Sequence, residues 1–324
     1  MPKPLLTLSL VTPSFNQARF LEQTIRSVLE QACPPLEYFV IDGGSTDSSL
    51  DILRKYAPKL TGWVSEKDHG QAEAINKGLR QTHGDIVAWI NSDDYYLPGA
   101  FARALQVFEQ NPQAGLVYGD VLSVDEHSTA FNLQTFAPLT LSDLMSFRII
   151  SQPAVFMRRA VLEQAGLLDP SYHLLLDHHL WLRMARLAPM IYLPETLAAA
   201  RYHPAAKNLA RTADFGAEAL RLVNWMAAAP EFSAVFEPNQ ARIWGGAHRL
   251  DAFYQLDGGE YRASLAAYGR AFRAHPPAAL QDWHRILYAC LALLGLTRLR
   301  PLYLRLRSIL RPVQNPKSKI ENQK

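Results

Sequence analysis

An α/β fold is predicted: a doubly wound, mainly parallel, Rossmann-like sheet over residues 1–210, followed by an all-α region over 211–314. Short apolar runs suited to buried strands alternate with segments whose apolar residues recur at helical spacing. Polar clusters fall at the carboxyl end of each of the first four runs. From Ala213 onward only helical periodicity remains.

In chain order, LLTLSLV (5–11) is an unbroken apolar run, as expected of a strand covered on both faces. Residues 18–31 place Phe20, Leu21, Ile25, Val28 and Leu29 on one helical stripe. EYFVI (37–41) is a second strand and DSSLDILRKYA (47–57) a second helix. LTGWVSE (60–66), QAEAINKGLRQT (71–82) and DIVAWI (85–90) continue as strand, helix and strand, with Gly84 as the stop of the helix and Gly70 and Gly78 bracketing its sequence motif. Repeated βα units imply parallel pairing through right-handed crossovers. Beyond 115 the pattern loosens. Residues 115–124, 131–136 and 151–159 read as strands, 178–188 as an amphipathic helix, and 190–203 as two short strands around Pro194. The later helices are punctuated by Pro230, Pro238, Gly258–Gly259 and Pro276–Pro277. Within them, Gly259, Tyr261, Ser264, Tyr268, Ala271 and Pro276 are spaced like a tetratricopeptide hairpin, or like any helix pair with small residues at its crossing. The polar end, 315–324, is expected to be disordered.

Composition narrows the class. With 48% hydrophobic and 19% charged residues, the chain reads as an ordinary globular protein. A net charge of +3 gives little reason to expect nucleic acid as a partner. Cys33 and Cys290, far apart in sequence, read as free thiols in a reducing compartment. The first apolar run is too brief for a signal sequence, and 286–296 is about half the length that spans a bilayer. A cytoplasmic protein without a transmembrane helix is therefore expected.

The chemistry concentrates at the strand ends, where doubly wound sheets bind ligands. VAWINSDDYYLP (87–98) ends a strand on Ser92 and the adjacent carboxylates Asp93 and Asp94, with no Lys or Arg within five residues. Such a pair suits a divalent cation held jointly with substrate phosphates, or else a solvated turn. DGGSTD (42–47) sets Asp42 at a strand end, either to accept hydrogen bonds from a nucleoside or to shape a turn. Neither GxGxxG nor a P-loop is present, which counts against dehydrogenases and P-loop kinases. SEKDHGQAEAINKG (65–78) adds Asp68, Asn76 and Lys77, the lysine being a diphosphate partner or a solvated side chain.

TPSFN, IDGGSTDSSLDIL, SEKDHGQAEAINKGL and GDIVAWINSDDYYLPGA, in this order and spacing, closely resemble glycosyltransferase family 2, over roughly residues 5–205. The resemblance implies the GT-A fold, a nucleoside diphosphate sugar donor (UDP favoured) and a Mn2+ or Mg2+ cofactor. It further implies hexosyl or N-acetylhexosaminyl transfer to an acceptor hydroxyl, with inversion, in bacterial cell-surface glycan assembly. By position, Thr12, Phe15 and Asp42 look like the base-binding residues and Asp68 like the ribose-side acid. Asn76 and Lys77 look like neighbours of the ribose and diphosphate. Ser92 and Asp93 complete the donor set, and Asp94 looks like the direct metal ligand, joined by the late histidine, His203. Lys207 would neutralise the leaving group, and Gln152 and Pro153 fall near the acceptor. Asp177, in LLLDHHLWLRMA (174–185), looks like the base that takes the acceptor's proton, although as an Asp before a helix it also suits an N-cap.

Two other classes share parts of this pattern: a nucleotide-sugar-binding protein without catalysis, and a sugar nucleotidyltransferase. The basic, Leu-rich stretch 282–312, with Trp283 and Tyr303, suits a peripheral membrane contact at the inner membrane face or packing on the enzyme or a second subunit. A glycan or lipid-linked glycan is the acceptor implied. Oligomeric state is left open.

Overall fold

In the computed structural model, residues 6–32, 36–203, 211–299 and 302–303 are described. Cys33, Lys207, the end segment 315–324 and much of 300–312 lie outside them. The described residues divide into two compact units. One comprises the chain up to Pro138 together with Ile150–Tyr202; the other comprises Leu139–Ile149 and the chain from His203 onward.

The first unit is built on one nine-stranded sheet. Its strands are β1 (Leu8–Ser14), β2 (Leu36–Asp42), β3 (Gly62–Ser65), β4 (Ile86–Trp89), β5 (Tyr95–Tyr96), β6 (Leu116–Val124), β7 (Ala130–Gln134), β8 (Val155–Arg158) and β9 (Met190–Arg201). The order is β3-β2-β1-β4-β8-β6-β9-β5, with β7 paired to β6. β3, β2, β1 and β4 run parallel, as the βα alternation predicts. β8 inserts antiparallel between β4 and β6, while β6 and β9 pair parallel. The sheet is thus mixed, with its parallel half formed by the first four strands of the chain.

Both faces of that half are covered. Leu8, Leu10, Tyr38, Val40, Ile86 and Ala88 share a core with Leu21, Ile25 and Val28 of helix α1 (Ala18–Leu29). Alternate residues face the other way, where α3 (Gln71–Gln81) lies on β1 and β2; α2 (Ser49–Tyr56) precedes it. Gly78 does not bracket α3 as expected but sits inside it, because a Cβ there would lie 2.4 Å from Val11 Cγ1. Helix and sheet can approach this closely only over glycine. Helix α4 (Ala100–Gln110), absent from the sequence-based expectation, buries Phe101, Leu105 and Phe108 in the same core as α1.

Residues 190–201 form one strand rather than two short ones. The register against β6 jumps from Leu193 to Thr196 and then to Ala198, so Pro194 and Glu195 bulge out of the ladder. Pro has no N–H to donate, and a bulge removes the need. Gly119 faces the bulge, where a Cβ would meet Leu197 and the Glu195 carbonyl at under 3 Å.

Helices α5 (Leu141–Met145), α6 (Arg159–Ala165) and α7 (Leu176–Leu187) follow in the chain, α5 belonging to the second unit. That unit otherwise holds α8 (Phe215–Ala228), α9 (Ser233–Asp257), α10 (Tyr261–Ala274), α11 (Pro276–Leu280) and α12 (Trp283–Leu293). α9 and α10 form a hairpin, tied where Ser264 Oγ donates to the Ala252 carbonyl at 2.8 Å. Pro238 does not punctuate the helices but lies within α9, near its start. Asn239 Nδ2 donates to the Val235 carbonyl there at 2.9 Å. α5 opens with a capping box between Thr140 and Asp143, and Arg242 of α9 bonds the same carboxylate at 2.5 Å.

Candidate active site at the carboxyl ends of the parallel strands

The turn Asn91–Asp94 joins β4 to β5, and three elements hold it. Thr24 Oγ1 of α1 bridges the Ser92 and Asp94 carbonyls at 2.9 and 2.6 Å. The Arg201 backbone N–H, at the end of β9, donates to Asp94 Oδ1 at 2.8 Å. Gln71 of α3 donates to Asn91 Oδ1 at 2.6 Å. Asp94 and Ser92 are buried, while Asp93 is half-buried. Burial and the adjacent Asp93 push the Asp94 carboxyl well above the usual carboxylate range, against the opposing pull of Arg201 and Asn91.

The cation missing from the local sequence is Arg201. Its Nε donates to the Asp93 carbonyl at 2.8 Å, Nη1 to the Asp125 carbonyl and Ser128 Oγ at 3.1 Å, and Nη2 to Gln23 Oε1 at 2.7 Å. The guanidinium lies over the Phe20 and Tyr95 rings, 4.6 and 5.6 Å from their centroids. Its positive charge lies near the acidic pair and draws the Asp94 carboxyl toward the ionised form.

The end of β2 is equally ordered. Asp42 is fully buried and accepts four hydrogen bonds: from the Gly44 and Ser45 N–H groups, Ser45 Oγ and Ser65 Oγ, at 2.5–3.1 Å. Asp42 therefore shapes the DGGS turn. Asp68 reaches the same place, since a Cβ on Gly43 would lie 2.6 Å from its Oδ2. On β1, Ser14 pairs in register with Asp42, and its hydroxyl is buried without a partner. Sequence reasoning passed over Ser14 because the strand extends three residues beyond the expected end. Phe15 follows it, 58% exposed. Asn16 ties this loop to the DGGS turn, donating its N–H to Ser45 Oγ and accepting from the Thr46 N–H.

Two expected donor-binding residues are engaged elsewhere. Thr12 is inside β1, fully buried, with its hydroxyl 2.8 Å from the Tyr38 hydroxyl. The Asn76 amide donates to the Leu168 carbonyl and accepts from its N–H, at 2.8 and 3.0 Å. Asn76 fastens α3 to the loop before α7, and both ends of its amide are occupied. Lys77 forms an ion pair with Glu66.

Asp177 lies in the first turn of α7, half-buried, and is not its N-cap, a position held by Leu175. One turn on, Trp181 stacks on Trp89 of β4 with centroids 5.2 Å apart, docking this end of α7 on the strand that leads into Asp93 and Asp94. Gln152 Nε2 donates to the Trp89 carbonyl at 2.8 Å. Its Oε1 and the Trp181 indole N–H are buried without a hydrogen-bond partner. His203 is buried and is the first residue of the second unit.

Residues 9–166 match the family model described as Glycosyl transferase family 2. Over 190 residues the chain is 31% identical to the putative teichuronic acid biosynthesis glycosyltransferase TuaG of Bacillus subtilis, covering 57% of this chain and 73% of TuaG. The chain belongs to glycosyltransferase family 2. A PGL/p-HBAD biosynthesis glycosyltransferase of Mycobacterium bovis is 31% identical over 173 residues, 52% of this chain and 66% of its own. Among solved structures, S. aureus TarS superposes with a TM-score of 0.61 at 18% identity, over 94% of this chain and 53% of TarS. This glycosyltransferase thus spans about half the length of TarS. The mannosyltransferase PcManGT of Pyrobaculum calidifontis, solved with GDP-Man and Mn2+, gives 0.56 at 21% identity, over 86% of this chain and 79% of that one. These likenesses show the GT-A fold.

Asp93 and Asp94 set two carboxyl groups beside the one guanidinium of Arg201 in a partly buried turn of this glycosyltransferase. Among the described residues no group of three or more His, Cys, Asp or Glu side chains could hold a metal ion by itself. Two carboxylates without a third ligand fit Mg2+ or Mn2+, which complete their shells with phosphate and water oxygens.

Proposed function

We propose that this glycosyltransferase moves a hexosyl or N-acetylhexosaminyl group from a nucleoside diphosphate sugar to an acceptor hydroxyl, inverting the anomeric carbon. The observation that carries this reading is the gathering of Ser14, Asp42, Asp68, Asp93 and Asp94 at the ends of the adjacent parallel strands β1–β4. Phe15 is free to stack on the base, and Ser14 Oγ and Asp68 to accept or donate on the nucleoside side. Asp93 and Asp94 would hold Mn2+ or Mg2+, which when bound would supply positive charge against that developing on the departing diphosphate. Lys77 turns from Glu66 to the diphosphate. Asp177 takes the proton of the attacking hydroxyl, and Gln152 Oε1 and the Trp181 N–H orient the acceptor sugar.

UDP is the favoured nucleotide, supported by TarS structures with UDP and UDP-GlcNAc, with the GDP-Man complex of PcManGT as the competing case. The acceptor in this reading is a cell-surface glycan carried on a lipid; the teichuronic acid biosynthesis in the name of TuaG supports a glycan acceptor. The experiment is to follow the small product with candidate donors and Mn2+, and to determine the anomeric configuration of the new linkage. Release of nucleoside diphosphate with inversion supports the reading. Release of pyrophosphate would make the chain a nucleotidyltransferase, and tight donor binding without turnover a binding protein.

A further inference from the structure

Helix α12 is built inside out. Its buried side carries His284, Arg285, Tyr288, Ala289 and Ala292. Arg285 is 2% exposed, donates to Asp257 Oδ1 at 2.5 Å and the Phe253 carbonyl at 3.1 Å, and lies 3.7 Å from the Phe253 ring centroid. Its exposed side carries Trp283, Leu287, Cys290 and Leu294, at spacings of four, three and four that form one helical stripe. No exposed residue between Trp283 and Leu296 bears a charge. Of the ten large hydrophobics exposed among the described residues, six fall between Leu280 and Leu302. A helix facing only water would place Arg285 outward and Leu287 inward. This one does the reverse, with the Arg285 Nη2 group bonded to Asp257 and the Phe253 carbonyl within the unit.

We infer that this face of α12 seats on an anionic lipid bilayer. Charge complementarity selects that occupant over an apolar protein surface. Directly after the stripe, residues 295–324 hold eight Arg and Lys and one Glu. Trp and Leu beside a dense run of cations suit the boundary between acyl chains and anionic headgroups. Among the described residues no helix is long and apolar enough to cross a membrane, so the contact is one of lying on the surface. The inference deepens the proposed use of a lipid-carried acceptor.

The test uses the intact protein, sedimented with vesicles of phosphatidylcholine alone and of phosphatidylcholine with phosphatidylglycerol. Binding is expected on the anionic vesicles, weakened by salt. The double variant Leu287→Glu/Leu294→Glu should bind about tenfold or more weakly while keeping its melting temperature, since both side chains already face solvent. Equal binding by variant and wild type, or none on anionic vesicles, would overturn the inference. So would a dimer in light scattering that the same substitutions turn into a monomer, which gives the face to a second copy. Vesicle binding needs no sugar donor, so its failure is separable from failure of the transferase reading.

Discussion

The backbone N–H of Arg201 donates to the Asp94 carboxylate across 107 residues of sequence, while the Arg201 side chain holds the carbonyl of Asp93. One residue thereby fixes both halves of the acidic pair, by two chemically different groups. Arg201→Met would leave the Asp93 and Asp125 carbonyls and Gln23 without their donor. A loss of about 3 kcal/mol or more in urea unfolding is expected, with a weaker apparent affinity for Mn2+. Arg201→Lys restores the charge but not the planar fork, and should recover little. A Lys variant as stable and as metal-responsive as wild type would refute this account.

Asp94 opposes folding in the metal-free protein. Its folded carboxyl titrates above its unfolded value, so the destabilisation is absent at low pH and grows as pH rises through the folded value. Asp94→Asn removes the charge and keeps an acceptor for the Arg201 N–H. The metal-free variant should melt at the same temperature or higher at pH 7, while sugar transfer falls about a thousandfold. A lower melting temperature would contradict the electrostatic reading.

For Asp177, the discriminating pair is rate and donor affinity. Asp177→Asn is nearly isosteric and retains an oxygen for the His178 N–H. Turnover should fall by about 10²–10⁴-fold with donor KM little changed, as expected of a missing general base. A variant that keeps its turnover would move the base elsewhere.

Asn76 predicts the opposite split. Asn76→Leu leaves the Leu168 N–H and carbonyl unpaired in a buried place, costing about 1–3 kcal/mol for each group. Thermal stability should drop while donor KM in the residual folded enzyme stays near wild type. A large rise in KM at unchanged stability would return Asn76 to the donor site.

In the second unit, the Asp143 carboxyl is lowered to about 2: burial would raise it, but bonds from the Thr140 N–H, the Thr140 hydroxyl and Arg242 outweigh that. A depressed folded value means stability that is complete above the unfolded value near 4 and lost as pH falls toward 2. Asp143→Asn should cost about 2 kcal/mol at pH 7 and almost nothing at pH 2, measured by denaturant titration at both. A pH-independent difference would assign the cost to packing.

Much of the parallel half was legible because apolar run length and helical spacing are local properties, and because polar clusters mark strand ends. Residue type and position did not reveal orientation. Thr12 and Asn76 fit a motif yet face Tyr38 and Leu168, which only packing decides. Gly78, expected to bracket its helix, is a contact point inside it, against Val11. Arg201 had no local signal, since its partners lie in three distant segments. Buried Ser14 and the antiparallel β8 likewise depend on long-range pairing.

The bulge at Pro194–Glu195 has a mechanical side. Beyond it, β9 pairs with β5, and Ala199 and Ala198 lie opposite Tyr95 and Tyr96 directly after the acidic turn. Loss of a single residue from the bulge would slide everything downstream by about 3.3 Å and turn each side chain to the opposite face. Natural length variation among close homologues should therefore spare this stretch and gather before Met190, where a change in length leaves the grip on Asp94 untouched.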